Sequence, residues 1–224
     1  MTEPSAAASM ITGQLLTNNI YAPAILQAMT SVRREDFLPA RLQHCAYVDE
    51  DLDIGGGRFL MEPLVFARLI DMAAINRQCR VLSIGVLQGY SAIVLSRLAE
   101  HVTGTELEEQ MVAKARENLQ RYNAGNVQLH TVKSLTAGYK KDAPYDVIVI
   151  NGAIDFVPEE LGAQLAMGGR LVAVHQETTR PDEPMGLGKT ILVKRISNQL
   201  QYREYSDAFT ALLPGFERDK QFIF

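Results

Sequence analysis

The sequence predicts an α/β domain on a mostly parallel sheet, finished by an antiparallel C-terminal edge and preceded by a helical extension. Three observations lead there. From Pro63 onward, short apolar runs alternate with stretches of helical spacing. Strands that alternate with helices imply a parallel sheet covered on both faces. Near the C-terminus the alternation stops: Thr190–Ile196 and Leu200–Tyr205 are β-rich and separated by Ser197-Asn198-Gln199, a hairpin signal. Residues 1–62 show helical spacing and glycine turns without strand alternation. They are read as an extension to a main domain over 63–224.

Within the extension, Ile11, Leu15 and Leu16, then Ile25, Leu26 and Met29, fall at helical spacing and predict two short helices between Ser9 and Val32. Pro23 suits the first turn of the second. Residues 34–58 read as irregular, with Gly55-Gly56-Gly57 a turn. In the main domain, Pro63 starts a helix with Leu64, Ala67, Leu69 and Ile70 on its apolar face. Strands are expected at 81–84, 102–106, 127–132, 145–150 and 169–175, and helices at 90–99, 108–122 and after Pro158.

Composition narrows the class. The chain has 224 residues, 47% hydrophobic and 21% charged, which is ordinary for a globular protein with one substantial core. A net charge of −4 argues against a general affinity for nucleic acid, which draws on clustered Lys and Arg. No apolar run approaches bilayer length, so no membrane partner is expected. The N-terminus lacks a basic n-region and an apolar h-region. Together with two isolated cysteines, Cys45 and Cys79, read as reduced thiols, this predicts a cytoplasmic protein. The four histidines form no close-spaced pair, so no metal site is expected.

Ligands of such sheets bind beyond the carboxyl ends of the strands, where strand order reverses. The loop there is Gly85-Val86-Leu87-Gln88-Gly89-Tyr90, which lacks a full G-x-G-x-x-G and gives poor support for a dinucleotide. Glu106 ends the second strand of the main domain, where a carboxylate accepts hydrogen bonds from the ribose hydroxyls of an adenine nucleoside. The bland alternative is a solvent-facing acid at a strand end. Asn151, ending the 145–150 strand, is a candidate lining residue or a strand terminator.

Several segments, in order and at near-correct spacing, resemble the protein-L-isoaspartate O-methyltransferase family. They are Ser31 to Pro39, Ala46-Tyr47-Val48-Asp49, Leu52 to Gly57, Ala143 to Val149 and Gly168 to Val172. The first is similar to the family's Val-Pro-Arg-x-x-Phe-Val-Pro. The next two are similar to its Ala-Tyr-x-Asp-x-Pro-Leu-Pro-Ile-Gly-x-Gly. The resemblance spans about residues 10–169. It implies an S-adenosylmethionine-dependent methyltransferase fold, a protein or peptide substrate carrying isoaspartyl residues, and a substrate loop within the extension. It also places cofactor-binding positions at Ser83, Gly85, Leu87, Gly89, Glu106, Ser134 and Asn151.

Departures from the family pattern fall on both sides of the implied site. Where the family reads Gly-Gln-Thr-Ile-Ser-Gln-Pro, this chain reads Gly57-Arg58-Phe59-Leu60-Met61-Glu62-Pro63. Phe59 and Met61 stand at the threonine and serine positions, and a thioether donates no hydrogen bond. Losing one charge-assisted orienting bond would cost about 1.5–3 kcal/mol. Glu62 replaces a neutral glutamine and brings negative charge toward an anionic substrate. Arg58 is read either as a bidentate clamp for a carboxylate or, more simply, as the partner of Glu62 four residues on. On the cofactor side, Ser83 replaces an acid and Leu87 a glycine whose missing side chain lets backbone approach the ligand. Leu87 therefore either fills cofactor space or turns into the core. Lys133 and Ser134 stand where the family has an acid for the adenine amino group.

Four functions compete. The first is isoaspartyl or other carboxyl methylation with a degenerate site. The second is a catalytically inactive homologue serving as a binding or regulatory module. A small-molecule methyltransferase and a nicotinamide enzyme follow. The apolar ends Leu212 to Phe216 and Phe222-Ile223-Phe224 are read as docked strands or a subunit contact. Oligomeric state is not fixed by the sequence.

Overall fold

A computed structural model describes residues 5–176 and 185–218. Its centre is a seven-stranded sheet of order β5-β4-β3-β6-β7-β8-β9. The strands are β3 (Arg80–Ile84), β4 (His101–Glu106), β5 (Val127–Thr131), β6 (Tyr145–Ile154), β7 (Leu165–His175), β8 (Met185–Ile196) and β9 (Gln199–Ala211). Strands β3 to β7 pair in parallel, whereas β8 and β9 run antiparallel to their neighbours. The predicted sheet and its antiparallel edge are therefore present. Two residues, Ser197-Asn198, close the terminal hairpin, with Ser197 at φ 54°.

The chain runs β3, β4, β5 in one direction across the sheet, then returns to place β6 on the other side of β3. That reversal opens a crevice at the carboxyl ends of β3 and β6. Both strands are apolar and fully buried over Val81, Leu82, Ile84 and Val147–Ile150, as expected where helices cover both faces. Helices α3 (Pro63–Ala73), α4 (Tyr90–Ser96), α5 (Glu109–Arg121) and α6 (Glu159–Gln164) stand close to their predicted places.

In the extension, α1 (Ala6–Met10) continues through wider and tighter turns to Asn18, and α2 (Pro23–Thr30) begins on its proline. Met10, Leu15, Ile25 and Met29 bury into the same core as Val81 and Val147. The stretch read as irregular holds a small separate hairpin, β1 (Leu52–Gly55) with β2 (Arg58–Leu60). Its turn residues Gly55, Gly56 and Gly57 all have positive φ, at 103°, 64° and 70°. The hairpin escaped prediction because its strands are too short to show alternation.

The C-terminal segment settles one of the open alternatives. Leu212 bridges to Ala153, Leu213 N–H donates to the Ala153 carbonyl at 2.9 Å, and Leu213 and Phe216 are buried. This part is docked on the end of β6. Phe222, Ile223 and Phe224 lie outside the described residues. Both cysteines are free thiols. Among the described residues no group of His, Cys, Asp and Glu could hold a metal, and no helix is long and apolar enough to cross a membrane.

Candidate active site

The crevice at the switch point is built from four pieces of chain. Gly85 follows β3 at φ 75°, a conformation that favours glycine. Glu106 ends β4 and is fully buried. Asn151 lies in β6 where its register with β7 shifts, between Val149 and Ala153. Its amide donates to Ser83 Oγ at 3.0 Å and to the Ile84 carbonyl at 2.7 Å. The hairpin carrying Arg58 and Phe59 covers this end of the sheet.

Arg58 makes the decisive contact. Its Nη1 and Nη2 meet Glu106 Oε1 and Oε2 at 2.5 and 2.9 Å, a bidentate ion pair with both residues buried. Pairing with Glu62, the simpler expectation, does not form. Glu106 is a strand-end acid in the interior, and a buried carboxylate draws the strongest available donor. Backbone amides complete its shell: Leu87 N–H at 2.8 Å and Leu107 N–H at 2.7 Å.

Other predicted positions divide cleanly. Phe59, Met61, Gly85, Leu87 and Asn151 line one small cavity of about 10 Å³ together with Arg34, Tyr90 and Ser91. Leu87 turns into the core, one of its two alternatives. It sits at φ 52° within the hydrophobic core and also walls that cavity. Ser83 is buried against Ser91, Oγ to Oγ 3.3 Å. Gly89 packs rather than lines: a Cβ there would stand 3.2 Å from the Ala115 Cβ, so the glycine brings α4 against α5. Ser134 pairs with Thr136 at 2.6 Å in the loop after β5 and does not line the cavity at Gly85.

Two residues that sequence reasoning passed over face the same cavity. Arg34 is fully buried. Its Nε donates to the Ala46 carbonyl at 2.7 Å and its Nη2 to the Met61 carbonyl, while Nη1 has no partner. The guanidinium carbon lies 5.0 Å from the Tyr90 ring centroid, and the Tyr90 hydroxyl is also unpartnered. Burial pushes the Tyr90 phenol above its ordinary value, so it remains a donor. In sequence Arg34 belongs to the segment Ser31 to Pro39 that resembles the family pattern, with no role assigned to it. The apolar flanks Val32, Phe37 and Leu38 were the available signal.

Comparison with known proteins identifies this arrangement. Residues 7–184 match the model of the family described as Protein-L-isoaspartate(D-aspartate) O-methyltransferase (PCMT). The chain belongs to the protein-L-isoaspartate(D-aspartate) O-methyltransferase family. It is 37% identical over 163 residues to protein-L-isoaspartate O-methyltransferase 2 of Pelobacter propionicus, covering 73% of this chain and 72% of the relative. A protein-L-isoaspartate O-methyltransferase of Methanoculleus marisnigri is 37% identical over 164 residues, 73% of this chain and 74% of that one. The fold agrees. A solved protein-L-isoaspartate O-methyltransferase superposes with a TM-score of 0.80 at 23% identity, over 94% of this chain and 67% of its own. A Plasmodium falciparum beta-aspartate methyltransferase (PCMT), in complex with S-adenosyl-L-homocysteine, gives 0.72 at 19% identity over 94% and 99%.

Gly85 offers bare backbone at the end of β3 and Glu106 a buried carboxylate at the end of β4, the two positions expected to meet an adenine nucleoside. The space between them is taken. A carboxylate offers about four lone-pair sites, and four donors from within the chain already reach the two Glu106 oxygens. Leu213 Cδ1 lies 3.0 Å, and Arg58 Nη2 3.6 Å, from where a Cβ on Gly85 would stand.

Proposed function

We propose that this protein is an S-adenosylmethionine-dependent methyltransferase acting on isoaspartyl carboxylates of proteins or peptides, with a departed substrate loop. The observation that carries this reading is Glu106, fixed at the end of β4 by two backbone amides beside Gly85, in a chain whose residues 7–184 match the family. S-adenosylmethionine supplies an electrophilic methyl group when bound. A carboxylate is ionised at neutral pH and needs no strong base; the protein's task is to orient it and exclude water. Glu106 is positioned to accept the ribose hydroxyls once its arginine is withdrawn.

Phe59 and Met61 supply no hydroxyl for the acceptor carboxylate. The unpartnered Nη1 of Arg34 and the Tyr90 hydroxyl, on the same cavity wall as Met61, are the donors that take over orientation. Arg58, released from Glu106, is a second cation for that carboxylate. Methyl transfer from labelled S-adenosylmethionine to an isoaspartyl peptide, against its aspartyl isomer, tests the reaction. Isoaspartyl-dependent incorporation is expected, at least tenfold weaker in Tyr90→Phe at about 1.4 kcal/mol per lost bond. Labelling that ignores the isomer would reject the substrate assignment. The second reading, a binding module without turnover, draws on the occupied Glu106 shell; S-adenosylhomocysteine binding without any transfer would favour it.

A further inference from the structure

We infer that Arg58 is an internal competitor for the cofactor: its guanidinium holds the Glu106 carboxylate in place of the ribose hydroxyls, and the β1–β2 hairpin must withdraw it before a nucleoside can enter. This rests on the cofactor reading above. The contact is bidentate, 2.5 and 2.9 Å, between two buried side chains. It satisfies the acceptor capacity of Glu106 completely when combined with the Leu87 and Leu107 amides. A diol cannot join without expelling a donor, and the two amides belong to the loops that frame the site. Arg58 is the removable one.

The chain around Arg58 suits such withdrawal. It follows directly on Gly55, Gly56 and Gly57, all at positive φ, with nothing within 4 Å of where a Cβ on any of them would stand. The turn itself is unhindered, and the hairpin is held to the body by Leu52 and Leu60, which bury in the core, so withdrawal swings Arg58 about that anchor. Among the described residues, strands β1 and β2 pair only with each other and not with the main sheet. Phe59 also stands between two small cavities of about 10 Å³ each, and Arg58 lines one of them. One is lined by Gly85, Leu87 and Tyr90, the other by Gly57, Gly152 and Leu213, and both share Phe59 and Asn151. Moving the hairpin outward takes Phe59 from between them and Arg58 from beside Gly85, leaving Leu213 as the remaining side chain over that glycine. The closed form thus lowers the apparent affinity by the fraction of molecules that are open.

The test is calorimetric titration of S-adenosylhomocysteine into the wild-type protein and Arg58→Gln, with thermal melts confirming that both are folded. Arg58→Gln is expected to bind on the order of tenfold tighter or more, because the open fraction approaches one. Binding equal to or weaker than a measurable wild-type value would overturn the competitor while leaving the cofactor reading intact. Silence from both folded proteins at millimolar ligand would sink both. Should Arg58→Gln fail to fold, hydrogen exchange on the wild-type protein decides. Ligand at millimolar concentration is expected to accelerate exchange in residues 55–60; unchanged or slower exchange there would overturn the proposal.

Discussion

Two acidic side chains near the same crevice meet burial in opposite ways. Glu106, in the interior, is matched by a guanidinium and two backbone amides. Glu62, which precedes α3 beyond the hairpin, stands half-buried with Asp49 and Asp51 as neighbours, and its carboxyl is pushed up to about 7. Burial is the first cause of that rise and the two aspartates add to it, against weaker help from Arg68 and Arg34. Desolvation therefore has two outcomes here. Glu106 gains donors, whereas at Glu62 burial and two aspartates favour the neutral form and the weaker pull of Arg68 and Arg34 does not offset them. The two surroundings differ because Arg58, on the hairpin between them, turns away from Glu62 and toward Glu106.

Arg58→Ala should break that division most severely. Removing one member of a buried pair leaves the other uncompensated, at about 3–5 kcal/mol. Urea unfolding is expected to show a loss of that size, largely recovered when Glu106→Gln is added, since the double variant buries no lone charge. A loss under about 1 kcal/mol would mean that solvent reaches Glu106 and that the pair is no stronger than a surface bridge. Leu213→Ala is the apolar counterpart. The side chain is buried between Gly85 and Gly152, 3.0 and 3.1 Å from where their Cβ atoms would stand. Its truncation should cost about 2–4 kcal/mol in the same assay, by the usual range for large-to-small core changes. It should also tighten S-adenosylhomocysteine binding by opening space over Gly85. Lost stability with unchanged affinity would show that the leucine shields the core without crowding the crevice.

The fold was legible because the strands β3 to β7 alternate with stretches of helical spacing; burial of Val147 to Ile150 is written in an unbroken apolar run, and that of Val81 to Ile84 in one broken only by Ser83. Of the candidate positions, Gly85, Leu87, Asn151 and Glu106 come together at the switch point, whereas Gly89 and Ser134 do not line the cavity at Gly85. The partnerships within the site were not legible. Arg58 and Glu62 are four apart in sequence, which suggests a pair only if the backbone is helical there. Arg58 instead lies in β2 and Glu62 beyond that strand's end, before α3 begins. Long-range pairing across the hairpin depends on three glycines whose φ values no composition reveals. Arg34 was hidden for a similar reason: its partners are the carbonyls of Ala46 and Met61, and backbone carbonyls leave no trace in sequence.

The smallest effect sharpens the other half of the comparison. In an unfolded chain a glutamate titrates near 4.5, whereas Glu62 in the fold titrates at about 7. The folded form therefore binds the proton more tightly, and the unfolded form binds fewer protons between those two values. Stability from this group is full below pH 4.5, declines as pH rises toward 7, and is flat beyond. Glu62→Gln removes the titration and keeps the shape. At pH 8 it should raise stability by about 1 kcal/mol, the shift being discounted because the side chain still touches solvent. That corresponds to about 2–4 °C in melting temperature for a chain of this size. At pH 4 the variant and the wild type should melt together, both neutral at this position. A gain of equal size at both pH values would trace the effect to packing at the start of α3 instead of charge. No gain at either would mean that Glu62 already finds enough water to ionise beside Asp49 and Asp51.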